Sequence, residues 1–150
     1  MPTMKKVEIF TDGACSGNPG AGGYGVILRY KGHEKELSGG EAHTTNNRME
    51  LTGVIEGLSA LKEPCEVVIT TDSRYIVDSI EKGWVYNWQK KNWLRKSEPV
   101  PNADLWQKLL KLLEIHKVSF NWVKGHNGHS ENERCDRLAV APVSYTHLTL

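Results

Sequence analysis

Residues 65–72 read Cys-Glu-Val-Val-Ile-Thr-Thr-Asp, and the centre of this run, Val67-Val68-Ile69, is apolar on both faces of an extended chain. Such a strand belongs inside a sheet covered on both sides, as in parallel sheets packed between helices. A second strand, Lys6 to Asp12, alternates instead, with Val7, Ile9 and Thr11 on one face and Glu8, Phe10 and Asp12 on the other. Each of the two strands ends on a carboxylate.

The rest of the pattern fits an α/β chain. The segment from Asp12 to Gly25 carries six glycines and Pro19 and reads as turn-rich. Strands follow at Tyr24 to Tyr30 and Glu34 to Gly39, joined by a hairpin turn at Lys31-Gly32, so the first three strands form an antiparallel meander. Leu51, Val54, Ile55, Leu58 and Leu61 then recur at helical spacing, with Thr44 or Thr45 as the N-cap. Helices are predicted over Ser73 to Lys82 and Trp84 to Asn92. Asn102 caps another, whose buried face is Leu105, Trp106, Leu109, Leu110 and Leu113. Val118, Phe120 and Trp122 alternate in a last strand. Ser130-Glu131-Asn132-Glu133 has capping-box spacing for a final helix. The expected architecture is a five-stranded mixed sheet, three strands antiparallel and two added in parallel, with helices on both faces.

Composition bounds the function classes. The chain has 150 residues, 39% hydrophobic and 25% charged, enough for one ordinary core and incompatible with wholesale disorder. No apolar run approaches the roughly 18 residues of a membrane span. Residues 1–6 lead into a strand pattern without an apolar signal core, so a cytoplasmic location is expected. Cys15, Cys65 and Cys135 are widely spaced and odd in number, which suits reduced thiols and neither a disulfide frame nor a zinc knuckle. Net charge is only +1, but Lys82, Lys90, Lys91, Arg95 and Lys96 fall in one stretch without an acidic residue, interleaved with Trp84, Trp88 and Trp93. That is a local basic and aromatic patch of the kind that meets nucleic acid.

The carboxylates carry the chemistry. If the strands ending at Asp12 and Asp72 are neighbours, those two residues converge with Glu50 in the first turns of the helix packed on them. Asp136 lies early in the last helix. Clustered carboxylates repel one another, and the natural reason to keep them together is a hard cation, Mg²⁺ or Mn²⁺.

Six segments resemble, in order and approximate spacing, the motifs of bacterial type 1 ribonuclease H: Phe10-Thr11-Asp12-Gly13, Gly17-Asn18-Pro19-Gly20, Thr44 to Leu51 (TTNNRMEL), Thr71-Asp72-Ser73, Trp122-Val123-Lys124-Gly125-His126 and Glu131 to Asp136 (ENERCD). The resemblance runs from about Lys6 to Ala139. It implies an endonuclease that hydrolyses the RNA strand of an RNA/DNA hybrid and leaves 5′-phosphate and 3′-hydroxyl ends. Asp12, Glu50, Asp72 and Asp136 would hold two metal ions, Asp12 as the bridging ligand and Asp136 as the most peripheral one. Two ions about 3.5–4 Å apart can activate a water and stabilise the leaving oxygen. His126 matches a family histidine that moves protons or helps product leave, whereas His129 matches no catalytic position.

The resemblance also implies how the hybrid is read. Cys15, Asn18, Asn46 and Asn47 match residues that approach 2′-hydroxyls in the minor groove. His43, Thr45 and Asn102 match a phosphate pocket, His43 standing where some members have arginine. Arg74 stands where a neutral amide is common, adding charge at the edge of the site. Lys90, Lys91, Trp84, Trp88 and Trp93 match a basic protrusion that grips the DNA strand, with Trp84 or Trp88 expected to pack and the lysines to face substrate. After Ala139 the resemblance stops. Pro142 ends the helix and 143–150 is a β-prone run unlike the family, so the catalytic domain is expected at 1–141 and an atypical tail at 142–150. A monomer is expected. Two other readings use the same residues: a hybrid-binding relative without catalysis, and a DNA-cutting member of the wider superfamily.

Overall fold

The computed structural model describes residues 4–124 together with Cys135 and Ala139. Three long strands come first: β1 (Lys5–Cys15), β2 (Gly20–Tyr30) and β3 (His33–Thr44). They are followed by α1 (Asn46–Ser59), β4 (Cys65–Thr71), α2 (Arg74–Glu81) and α3 (Trp84–Lys90). A two-residue hairpin, β5 (Leu94–Arg95) with β6 (Glu98–Pro99), precedes α4 (Ala103–Ile115) and β7 (Lys117–Trp122). The main sheet has five strands in the order β3-β2-β1-β4-β7. β1 pairs antiparallel with β2 and parallel with β4, and β4 pairs parallel with β7. The expected mixed sheet is therefore the observed one.

One face of the sheet carries the main core. Val7, Ile9, Val26, Leu28, Val67 and Ile69 pack against Leu51, Val54 and Leu58 of α1 and against Trp106 and Leu109 of α4. The opposite face holds a smaller cluster, in which Phe10 and Ile27 meet Cys135, a helical residue. The alternation read along β1 thus separates two cores, one per face. Among the described residues no helix is long and apolar enough to cross a membrane.

Four expectations change. The glycine-rich segment is mostly strand: β1 runs on to Cys15 and β2 begins at Gly20, with Gly20 to Gly25 paired against β3. Glycine is required there by close packing. A Cβ on Gly22 would lie 2.6 Å from Thr44 Cγ2, and one on Gly23 would collide with the carbonyl oxygen of Ala139. β3 likewise extends past Gly39 to Thr44. Val68 is 41% exposed, so β4 is not covered evenly on both sides. Asn102 sits at the N-cap of α4 with φ 64° and makes no side-chain cap bond, because its amide is used elsewhere. The loop 125–129 and the capping box at 130–133 lie outside the described residues.

Candidate active site

The register of the sheet brings the first two carboxylates together. The parallel ladder between β1 and β4 ends at Phe10 opposite Thr70, so Asp12 and Asp72 each stand two residues beyond the last pair. Asp12 is inside β1 and not at its end, while Asp72 occupies the turn between β4 and α2. α1 supplies the third. Thr45 caps it, its hydroxyl accepting from Arg48 N at 3.3 Å, and Glu50 follows on the face turned to the sheet, buried with Met49 and Leu51.

Each of Asp12, Glu50 and Asp72 offers a carboxylate oxygen, and these atoms lie within 4.8 Å of one another. Asp12 and Glu50 are buried and Asp72 is half-buried. The Gly13 N–H donates to Asp12 Oδ1 at 2.9 Å and also to Glu50 Oε1. Burial pushes the Glu50 carboxyl well above the usual carboxylate range, and the neighbouring Asp12 and Asp72 charges push it further. Glu50 Oε2 is buried without a hydrogen-bond partner among the described residues. A carboxylate oxygen left so is costly unless something positive meets it. An all-oxygen donor set with one orphaned oxygen fits a hard divalent cation.

Above the cluster is an open cavity of about 300 Å³ lined by Asn46, Asn47, Ser73, Arg74 and Tyr75 besides the three acids and Gly13. A hollow of about 320 Å³ at the far end of the sheet is lined by Val7, Leu28, Tyr30 and Leu61, and its acids, Glu34 and Glu63, are paired with Arg29 and Lys5. Of the two, the first combines concavity with carboxylates gathered at one point, which is what cation-dependent chemistry needs.

The other expected site residues fall around this cavity or on the handle. Asn18 Oδ1 accepts from Asn46 N at 3.1 Å, tying the loop before β2 to the start of α1. Cys15 is half-buried, its Sγ 3.5 Å from the carbonyl oxygens of Gly20 and Thr44. His43 is exposed near the end of β3. Asn102 lies between two partners, Oδ1 accepting from Arg48 Nη1 at 3.3 Å and Nδ2 donating to the Tyr75 hydroxyl at 3.2 Å. Trp84 is 44% exposed, whereas Trp88 is half-buried with its ring edge-on to Trp106, 6.1 Å between centroids. Trp88 is thus the tryptophan that packs. Trp93 is also half-buried against the main core, while Lys90 and Lys91 are exposed. His126 and Asp136 lie outside the described residues.

Three residues without an assigned role in the motifs shape this region. Arg48 makes a two-pronged pair with Asp104, Nη1 to Oδ1 at 3.1 Å and Nη2 to Oδ2 at 2.8 Å, and that hydrogen-bonded guanidinium holds the Asp104 carboxyl below its usual range. Tyr75 accepts from Trp106 Nε1 at 2.9 Å as well as from Asn102. Trp122 donates its indole N–H to the Asp72 carbonyl at 3.0 Å. Arg48 and Trp122 stand inside the motifs, but their partners are distant in sequence and no spacing rule names them.

Comparison with known proteins agrees. A family model described as RNase H matches residues 4–144. A ribonuclease H of Desulforamulus reducens is 60% identical over 148 residues, spanning 98% of this chain and 93% of that protein. Another, from Erythrobacter litoralis, is 66% identical over 137 residues, or 91% and 94% of the two chains. Among solved structures, LC9-RNase H1, described as a type 1 RNase H with the type 2 active-site motif, matches with a TM-score of 0.86 and 39% identity over 96% of this chain and 74% of its own. LC11-RNase H1, solved in complex with RNA/DNA hybrid, shares the fold at a TM-score of 0.72 and 23% identity, over 93% of this chain and 98% of its own. A carboxylate cluster suited to a divalent cation, set in this sheet and matched by these relatives, has one reading: the chain belongs to the ribonuclease H family, the metal-dependent endonucleases that cut the RNA strand of RNA/DNA hybrids.

Proposed function

We propose that this enzyme uses Mg²⁺, two ions with substrate bound, held by Asp12, Glu50, Asp72 and Asp136, and that Mn²⁺ can replace it. The observation that carries this reading is the meeting of three carboxylates, one oxygen of each within 4.8 Å of the others, with Glu50 Oε2 lacking a hydrogen-bond partner among the described residues. When bound, the ions would supply an ionised water near neutral pH and offset the charge of the reacting phosphate.

The remaining work falls to the chain itself. Asp12 and Glu50 share the Gly13 N–H, which ties these two ligands to each other. His126 takes or returns a proton during the reaction, a task for which an imidazole is chemically suited. Asn46 and Asn47, on the cavity rim, read 2′-hydroxyls together with Asn18 and Cys15, which gives preference for RNA over DNA in the cut strand. Thr45, Asn102 and His43 form a pocket for a backbone phosphate of the hybrid. The Asn102 amide still has a second N–H to donate after meeting Tyr75. Lys90, Lys91, Trp84, Trp88 and Trp93 form the handle, the lysines on phosphates and Trp84 on sugar or base faces, while Arg74 meets the substrate at the cavity edge. The enzyme acts as a monomer in the cytoplasm, where three free thiols are at home. Residues 1–141 are its catalytic unit, so truncation after Ala141 keeps hybrid cleavage.

The deciding experiment is cleavage of a uniform RNA/DNA hybrid with Mg²⁺, Mn²⁺ or EDTA, beside double-stranded RNA and DNA. Cutting of the RNA strand that EDTA abolishes is expected. Preferential cutting of duplex DNA, or hybrid binding with no metal-dependent cutting, would replace this reading.

A further inference from the structure

The indole of Trp122 touches both the backbone that carries Asp72 and the guanidinium of Arg74. Trp122 is the last residue of β7, paired with Thr71, and the next residue extends this pairing, Val123 N donating to Thr71 O at 3.0 Å. From this anchored position its Nε1 donates to the Asp72 carbonyl at 3.0 Å, while its ring lies under the Arg74 guanidinium, 4.7 Å from centroid to Cζ. Asp72 lies between β4 and α2, outside both, and Trp122 holds its carbonyl from the neighbouring strand.

Arg74 also faces Asp78, whose Oδ2 is 3.7 Å from Nε and is shared with Lys82 at 3.8 Å. Those distances are too long to fix a guanidinium, and its side chain is 61% exposed. The aromatic face is what orients it, at the rim of the acidic cavity, where a nucleic-acid phosphate would meet it.

We infer that Trp122 is a positioning residue with two separable outputs: its indole N–H sets Asp72 for metal binding, and its ring sets Arg74 for a phosphate of the hybrid. The inference rests on the hybrid-nuclease function proposed for this site.

Two variants separate the outputs. Trp122→Phe keeps a ring beneath Arg74 and removes the N–H. Calorimetric titration with Mn²⁺, without substrate, should show binding weakened about fivefold, the worth of one neutral hydrogen bond. Its affinity for hybrid in EDTA should be retained. Arg74→Gln keeps the indole bond, so Mn²⁺ binding should not weaken. Hybrid affinity in EDTA should fall roughly three- to tenfold, and its log-log salt slope should shrink by up to about 0.9, the share of one neutralised phosphate. A merely structural tryptophan would lower the melting temperature without this crossed pattern. Unchanged Mn²⁺ binding in Trp122→Phe, or unchanged hybrid affinity and salt slope in Arg74→Gln, overturns the inference. Wild-type cleavage run alongside keeps the two readings apart: a wild type that cuts hybrid but whose variants lack the crossed pattern removes this inference alone, and one that does not cut removes both.

Discussion

Gly13 lies against the backbone of Glu50 so closely that a Cβ at residue 13 would stand 2.7 Å from the Glu50 nitrogen and 2.9 Å from Oε1. The same glycine donates its N–H to that carboxylate. Strand β1 and helix α1 are thus locked together at the point where two metal-ligand candidates meet. Gly13→Ala should destabilise the fold by about 1–3 kcal/mol through overpacking and push Glu50 off position. Chemical denaturation measures the first effect and Mn²⁺ titration the second. A variant as stable and as metal-avid as wild type would show that α1 can move away freely.

Asp12→Asn should abolish cleavage and leave hybrid binding largely intact, since affinity comes mostly from phosphate and sugar contacts. Removing one of several crowded carboxylates should also raise the melting temperature in EDTA. Mg²⁺ should then stabilise wild type more than the variant, because a ligand of the native state adds RT ln(1 + [L]/Kd). Equal metal-induced shifts in the two proteins would contradict the ligand role of Asp12.

Glu50 predicts a pH dependence. Its folded-state pKa is raised, so without metal the native protein holds a proton that the unfolded chain has released. The associated stability is present below the ordinary value of 4.5 and is lost as pH rises through the raised one, at about 1.4 kcal/mol per pH unit. Urea titrations in EDTA across that window should show this loss in wild type and not in Glu50→Gln. Added Mg²⁺ should reverse the trend, since the metal displaces the proton.

His116 contributes the opposite sign. Its Nδ1 accepts from Cys65 N at 3.1 Å, which requires the neutral ring, and burial lowers its pKa from 6.5. Stability from this group is full above pH 6.5 and lost as pH falls from there through the lowered value. His116→Gln should be less stable than wild type at neutral pH by about 1–3 kcal/mol, and the gap should narrow on acidification. A gap that does not change with pH would exclude titration of His116.

Lys90, Lys91, Arg95 and Lys96 are all exposed. Replacing the four with alanine should raise KM for long hybrids and flatten its salt dependence, by a log-log slope of up to about 0.9 for every phosphate that is no longer neutralised. Turnover at saturation should change less. A salt slope like that of wild type would make the patch an ordinary solvated surface.

Local pattern determined a good deal of this protein. Alternation in β1 separates its two cores, and the apolar spacing of α1 and α4 identifies the faces they bury, because period and burial are properties of single segments. The short motifs single out Asp12, Glu50 and Asp72 without any geometry. What tertiary structure decided is whatever depends on a partner far along the chain. Gly13 and Glu50 are 37 residues apart, and Arg48 and Asp104 are 56 apart. The glycines of β2 look like turn residues because composition records only that side chains are missing. Close packing by Thr44 and Ala139 explains why they are missing. Val67-Val68-Ile69 has the pattern of a strand covered on both faces, but a local run cannot say what lies over it, and Val68 is left exposed. Asn102 has the sequence position of a cap and serves instead as a link between Arg48 and Tyr75, since its amide is taken by partners 54 and 27 residues away in the chain. Sequence-local energetics set the elements, while the contacts that give the site its chemistry exist only once β1, α1, β4 and β7 have met.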